Sequence, residues 1–547
     1  MPVEVEKMAL LPHPSASARR STDDGSGLAS TEQLLVAGGD GRIALNPASA
    51  LNQYGCQPFP DPERMAFGSS TASDISVAGF FAADQLRRKL ALAAGTEPRE
   101  ITYTRELNRI RQALLHLCAV SDLPGLETIF AASGTDLHLI AAQLVGSASR
   151  PTLVVMVDTA ETGSGILAAL TGRHCSLRAA LGEGLSADTT DTRLAGSNTL
   201  EVVTVPIRFA DGTPRPAAMV DAQVESLVST ATAKGWRVLL VLVDHSKTGV
   251  IAPSPACVAA LRQRMQGKVE VLVDACQFRI APSTVRAYLA QDFMLALTGS
   301  KFVTGPSFSG ALLIPAGAAR RLSHPLPGAI RTNALRADWP QSWSAARHLG
   351  HATNYGLLLR WEAALEELRA FRAVPDASIT SFLQTFAGAV EERLLSDPAF
   401  ALLPVPQLDR RPLVEACGWD HIQTVFSFVL KRPGALAAKA YLTRDETMRV
   451  YQMMQLDQSG HLNLDRASLN REIARLRFQL GQPVICGHRD GVPVSALRLC
   501  ASARMIVEAT AQGGRNAAAI IAHALAALDK AAWLAQSGWI GGETHSS

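Results

Sequence analysis

Excess charge of one sign, paired cysteines and long apolar runs are all missing from this 547-residue chain. Lys+Arg number 52 against 49 Asp+Glu, a formal net charge of +3, and no basic cluster stands out. Neither nucleic acid nor a membrane is therefore an expected partner. The eight cysteines, at 56, 118, 175, 257, 276, 417, 486 and 500, include no C-x-x-C pair. In a chain able to build a large core they predict buried thiols in a reducing compartment, hence a cytoplasmic protein. No uninterrupted apolar run approaches the roughly 18 residues that span a bilayer. The start, Met1-Pro2-Val3-Glu4-Val5-Glu6-Lys7, has none of the apolar core of a secretory signal. A complete G-x-G-x-x-G or G-x-x-x-x-G-K-[ST] loop is also missing, which argues against an unrelated nucleotide-binding enzyme. No metal site is expected.

What is present is material for a core. Apolar residues make up 47% and charged residues 18%, the balance of a globular chain of about two to four domains. Residues 1–35 read as a mobile arm, dominated by Ser, Arg, Asp and Gly with little to bury from about 12 to 30. In 36–99, the irregular stretch 45–76 with its four prolines is expected to lie near the active site rather than join a sheet, and a helix follows over 77–92. Residues 100–373 alternate short, nearly continuous apolar runs (153–157, 200–205, 238–243, 269–273, 293–297 and 311–314) with helical stretches such as 136–145, 221–234 and 254–266. That alternation predicts an α/β domain: a mostly parallel central sheet flanked by helices, with ligand sites outside the strand C-termini. A long helix over 354–373 leads to a smaller α+β C-terminal domain, 374–540, with a strand at 425–430 and helices at 469–480 and 515–535.

The chemistry concentrates in a few loops. Asp274 closes the run Val271-Leu272-Val273, and Gln277 follows it. About one strand later comes a lysine in a small, hydroxyl-rich loop, Thr298-Gly299-Ser300-Lys301. Pyridoxal phosphate needs an amine for its aldehyde and a carboxylate for its ring nitrogen, and Lys301 and Asp274 suit those roles. The other reading of Asp274 is as the cap of a following helix. Ser133-Gly134-Thr135-Asp136 opens a helical segment and is either a phosphate cradle or a plain N-cap. Asp244-His245-Ser246-Lys247-Thr248-Gly249 follows another strand and either lines the site or forms an ordinary turn.

Taken in order, these segments resemble the fold-type I pyridoxal-phosphate enzymes, in particular the class V aminotransferase group that includes cysteine desulfurases and kynureninases. The family's D-A-x-Q segment corresponds to Asp274-Ala275-Cys276-Gln277, its S-x-H-K loop to Thr298-Gly299-Ser300-Lys301, and its G-P…G-A-L stretch to Gly305-Pro306 and Gly310-Ala311-Leu312. A G-T-P-N segment is similar to Ala352-Thr353-Asn354. The resemblance implies Lys301 as the catalytic lysine. It implies cofactor contacts from Gly134, Thr135, Asp136, Ser246, Asp274, Gln277, Thr298, Ser300 and Lys301. It also implies Arg498, in Arg498-Leu499-Cys500, as the holder of the substrate carboxylate, a surface or interdomain salt bridge being the other reading. Thr353 would reach the cofactor of a second copy, which implies a homodimer with shared active sites.

Departures from the family pattern are also plain. Thr162 stands where a ring-stacking residue is usual, and Ser300 where the histidine before the lysine is usual. No desulfurase cysteine loop is recognisable, and Cys486 reads as a buried thiol or, less in keeping with its surroundings, a nucleophile. The expected activity is amino-group transfer from an amino-acid substrate. Side-chain cleavage by a lyase and a non-catalytic protein of the same fold are the alternatives.

Overall fold

The computed structural model describes residues 27–68, 74–147, 149–173, 194, 198, 200–330, 334–415, 418–432, 440–461 and 471–536. Most of the expected N-terminal arm lies outside these residues. Its last part holds a short helix, Thr31–Leu35, with Thr31 and Leu35 buried.

The short apolar runs form one sheet because each is too rich in Val, Ile and Leu to leave either face in water. Its order is Glu127–Ala131, Gly310–Ile314, Met294–Thr298, Val269–Asp274, Arg237–Asp244, Thr152–Val157 and Leu200–Val205, with Ile251–Ala252 pairing off the end of Arg237–Asp244. The strands from Met294–Thr298 to Leu200–Val205 are mutually parallel. Gly310–Ile314 runs antiparallel to both of its neighbours. The expected α/β class with a mostly parallel sheet is what the chain forms. The edge strand Glu127–Ala131 was not anticipated, because the run Ile129-Phe130-Ala131 is too short to be told from a buried helix end.

Helix Tyr355–Arg372 buries Leu357, Leu358, Trp361, Leu365 and Leu368. Arg360, on the same helix, is fully buried and donates to the carbonyls of Phe308, Leu35, Ala37 and Gly38. It ties the N-terminal segment to the main body.

A second sheet runs Arg64–Phe67, Arg477–Arg489, Val492–Cys500, Val425–Leu430, Phe400–Leu402. Two expectations are corrected here. The 45–76 segment does join a sheet, since Arg64–Phe67 pairs parallel with Arg477–Arg489. It does so at an edge, where the prolines before it cost no ladder bonds. The helix expected over 469–480 is helical only at Arg471–Arg475 among the described residues, and Arg477 begins a strand. Leu469, Ile473, Leu476 and Leu480 recur at helical spacing, but pairing on both sides overrides that local preference. One helix, Ala517–Gln536, is apolar and long enough to cross a membrane by length and composition. Ala524, Leu528, Ala531 and Leu534 on it are buried in the protein core, and its Lys530 is held by the carbonyls of Leu456, Ala474 and Leu476.

Candidate active site

A cavity of about 210 Å3 opens where the parallel strands end. Asp274 and Thr298 are the last residues of their strands, and His245 directly follows a third. Gly134 and Thr135 bring the start of a helix to the cavity, Arg42 and Tyr54 come from the N-terminal segment, and Gln482, Pro483, Val484 and Arg498 come from the second sheet. Lys301, Gln277, Ser300, Lys247, Glu161 and Thr162 complete the parts that matter here.

Lys301 adopts φ +62°, left-handed backbone that residues other than glycine seldom take and that gathers at functional sites. Among the described residues its Nζ has no hydrogen bond and no ion pair. Asp274 accepts from the Cys276 N–H at 3.1 Å and lies 3.2 Å from His138 Nε2. Burial alone would push the Asp274 carboxyl up, but His138 and Lys301 hold it well below the usual carboxylate range. His138 moves the opposite way. Burial would lower it, and Asp274 raises it above its ordinary value. Its Nδ1 meets the Gly134 carbonyl at 2.7 Å, which leaves Nε2 turned to Asp274. The acid is thus held ionised at the cavity wall.

Two residues at the cavity hold buried polar atoms without a partner among the described residues. Gln277 Oε1 is buried without a partner, and so are both ring nitrogens of His245. Burial, with Arg279 nearby, brings His245 down to about 3, so its imidazole is neutral. Buried polar atoms left unpaired are costly in a finished protein core, and here they face a cavity.

At the helix start, Ser133 caps the Asp136 N–H at 3.2 Å. A side chain on Gly134 would come within 2.9 Å of Cys276 Sγ, so only glycine keeps this approach open. Arg42 donates to Thr135 Oγ1 at 3.3 Å and Ser133 Oγ at 3.4 Å while pairing with Asp40. Ser300 Oγ has only a 3.5 Å contact to Thr298 Oγ1. Thr298 itself gives its proton to the Cys276 carbonyl at 2.5 Å, so its hydroxyl braces the loop and has no proton left for a phosphate.

Glu161 organises the other side. Arg208 Nε lies 3.0 Å from Oε1, Ser246 Oγ donates to Oε2 at 2.8 Å, and the Thr248 N–H donates to Oε2 at 3.1 Å. Arg498 is buried and donates to the carbonyls of Gln482 at 2.9 Å and Lys247 at 3.3 Å. No carboxylate pairs with it among the described residues.

The structure therefore brings Gly134, Thr135, Asp274, Gln277, Thr298, Ser300, Lys301 and Arg498 to one cavity. Asp136 and Ser246 do not line it. Asp136 is buried behind the helix start, accepting from Ser133 Oγ at 2.7 Å, and Ser246 is spent on Glu161. Thr353 lies outside this cavity, just ahead of Asn354, which caps the long helix. Cys486 is buried in a strand with Sγ directed to the Val494 carbonyl, also away from the cavity. Neither a surface nor an interdomain salt bridge is formed by Arg498 among the described residues. Sequence reasoning missed His138, Arg42 and Tyr54. His138 had a usable signal, since it sits one helical turn after Gly134, whereas the others come from segments with no local pattern.

No family model matches the chain, and no curated protein matches it either. Among solved structures it is similar to a cysteine desulfurase, CsdA, from Escherichia coli, at 16% identity over 89% of this chain and 98% of that one, with a TM-score of 0.49. A cystine C–S lyase solved with cysteine persulfide is similar at 16% identity over 86% and 97%, TM-score 0.49. A serine palmitoyltransferase from S. paucimobilis is similar at 13% over 86% and 88%, TM-score 0.44. Likeness this distant transfers none of those activities to this chain. By its own fold and site the chain is an α/β protein with a cationic, lysine-bearing cavity at its strand ends.

Proposed function

We propose that this cavity binds pyridoxal phosphate and that the chain is an enzyme acting on an amino acid, as an aminotransferase. The observation that carries the reading is Lys301, an unpartnered amine in a cavity shared with a strand-end carboxylate held ionised. The other residues fit the same group. Gly134 leaves open a close approach to a helix start, Gln277 and His245 offer unsatisfied polar atoms, and the Ser300 hydroxyl is nearly free.

When bound, the cofactor supplies an aldehyde and an electron-poor ring that accepts the electron pair left at the substrate Cα. Lys301 Nζ holds it at rest and afterwards moves the proton at the substrate Cα. Asp274, being anionic, would accept from a protonated ring nitrogen, and Gln277 would offer its amide to the phenolic oxygen. The N–H groups of Gly134 and Thr135, at the positive end of a 12-residue helix, hold the phosphate with Ser300, and Arg42 adds charge beside them. Arg498 binds the α-carboxylate, for which a guanidinium without a carboxylate partner is suited. Thr353 is assigned to the phosphate in a second copy of the chain, which makes the working unit a homodimer.

Amino-group transfer is favoured over thiol-assisted cleavage because the cavity offers no ready thiolate among the described residues. Burial pushes the Cys276 thiol far up, and Cys486 is elsewhere.

The test is a visible absorption spectrum of the purified protein, with Lys301→Ala in parallel, titrated with a panel of amino acids. A visible band that requires Lys301, and that an amino acid bleaches while releasing its keto acid, is the expected result. A band that returns after side-chain loss identifies a lyase instead. No band, with pyridoxal phosphate supplied, contradicts the reading.

A further inference from the structure

Resting on that reading, we propose that the substrate is an amino acid with a second carboxylate, and that Lys247 receives that group. Four cationic side chains line the cavity: Arg42, Lys247, Lys301 and Arg498. Arg42 is held by Asp40, with Nε 2.9 Å from both carboxylate oxygens. Lys301 is committed to the cofactor and Arg498 to the α-carboxylate. Lys247 is left over.

Its Nζ makes one hydrogen bond, 3.3 Å to the Ala160 carbonyl, and pairs with no carboxylate among the described residues. The charge of Glu161 is felt at Lys247, but among the described residues the two form no ion pair. Arg208, Ser246 and Thr248 already engage both oxygens of Glu161, and Thr248 Oγ1 lies 2.7 Å from each. A largely buried ammonium without a counter-ion is expensive unless a ligand supplies one. Position adds to this. The Arg498 guanidinium bonds to the backbone carbonyl of Lys247, and both side chains line the same cavity within reach of each other's charge. A dicarboxylic amino acid presents two anions in the same molecule. Burial, with Arg498 and Lys301 close by, brings the Lys247 amine down to about 8, which leaves it charged at neutral pH and responsive to an anion.

The experiment compares each acid with its amide, so that only charge changes: aspartate with asparagine, glutamate with glutamine, and the unreactive pair succinate and succinamate. Binding to the holoenzyme is read from the visible band for the amino acids, and from thermal shift for the unreactive pair. Wild type should bind the acid of at least one pair about tenfold or more tightly than its amide. Lys247→Met should bring that ratio close to one while keeping the visible band, and Lys247→Arg should retain the preference. Equal binding of acids and amides by wild type overturns the proposal, and so does an undiminished preference in Lys247→Met. Because the succinate pair is read in the unaltered protein, a variant that fails to fold does not rescue the idea. A wild type with no visible band overturns the cofactor reading itself, which is a distinct failure.

Discussion

Asp244 and Asp274 end neighbouring parallel strands, one residue out of step in register, since Val243 pairs with Asp274. Both carboxylates are buried, and their surroundings differ completely. Asp244 receives Arg410 Nε at 2.7 Å, Arg410 Nη2 at 2.8 Å and the Tyr288 hydroxyl at 2.6 Å. That cluster lies wholly inside the protein. Asp274 has one backbone N–H and one imidazole, and otherwise faces a cavity with Lys301. The same residue type at the same place on adjacent strands serves as scaffold where its bonds are filled and as a site where they are left open.

Four predictions sharpen or break this contrast. The largest concerns Lys301. Replacing it with Ala should lower turnover by about a thousandfold or more, with the melting temperature of the cofactor-free protein little changed, because among the described residues its Nζ makes no hydrogen bond or ion pair.

Next come the two acids compared directly. Asp244→Asn should cost about 3–5 kcal/mol in urea unfolding, because Arg410 cannot shed its charge and is left buried alone. Asp274→Asn should cost only about 1–2 kcal/mol, since His138 can lose its proton, but should reduce turnover by about a hundredfold. Equal stability losses for the two variants would contradict the contrast.

A smaller effect lies in pH. His138 is raised, so its contribution is full below the unfolded histidine value, about 6.5, and fades as pH climbs through the raised value. Asp274 is depressed, so its contribution is full above about 3.9 and fades as pH falls. The stability difference between wild type and Asp274→Asn should therefore peak between about pH 4 and 6.5. A difference that does not vary with pH would show that the two groups are not paired. The smallest effect is Arg42→Ala, expected to weaken cofactor binding about tenfold by equilibrium dialysis, with little change in stability.

Much of this was legible before any coordinates. The runs at 153–157, 200–205, 238–243 and 269–273 became strands because a run of β-branched residues too short for a helix has one way to bury both faces. Asp274 and Lys301 were legible for a related reason, as chemistry placed where strands end. The failures share a cause as well. The 469–480 stretch has helical spacing, and only its pairing partners, Arg64–Phe67 and Val492–Cys500, make it a strand. Arg42 meets Thr135 across 93 residues of chain, and no local pattern records such an encounter. Ser246 and Asp136 are polar residues beside the site whose bonds turn away from it, which spacing alone does not reveal.

The most direct test of the central claim is reduction of the protein with borohydride in the presence of pyridoxal phosphate, followed by peptide mapping. Two lysines line the cavity, Lys301 and Lys247. The account predicts a pyridoxyl group fixed on the peptide that carries Lys301, with the Lys247 peptide unlabelled. Labelling of Lys247 instead, or of neither, would contradict it.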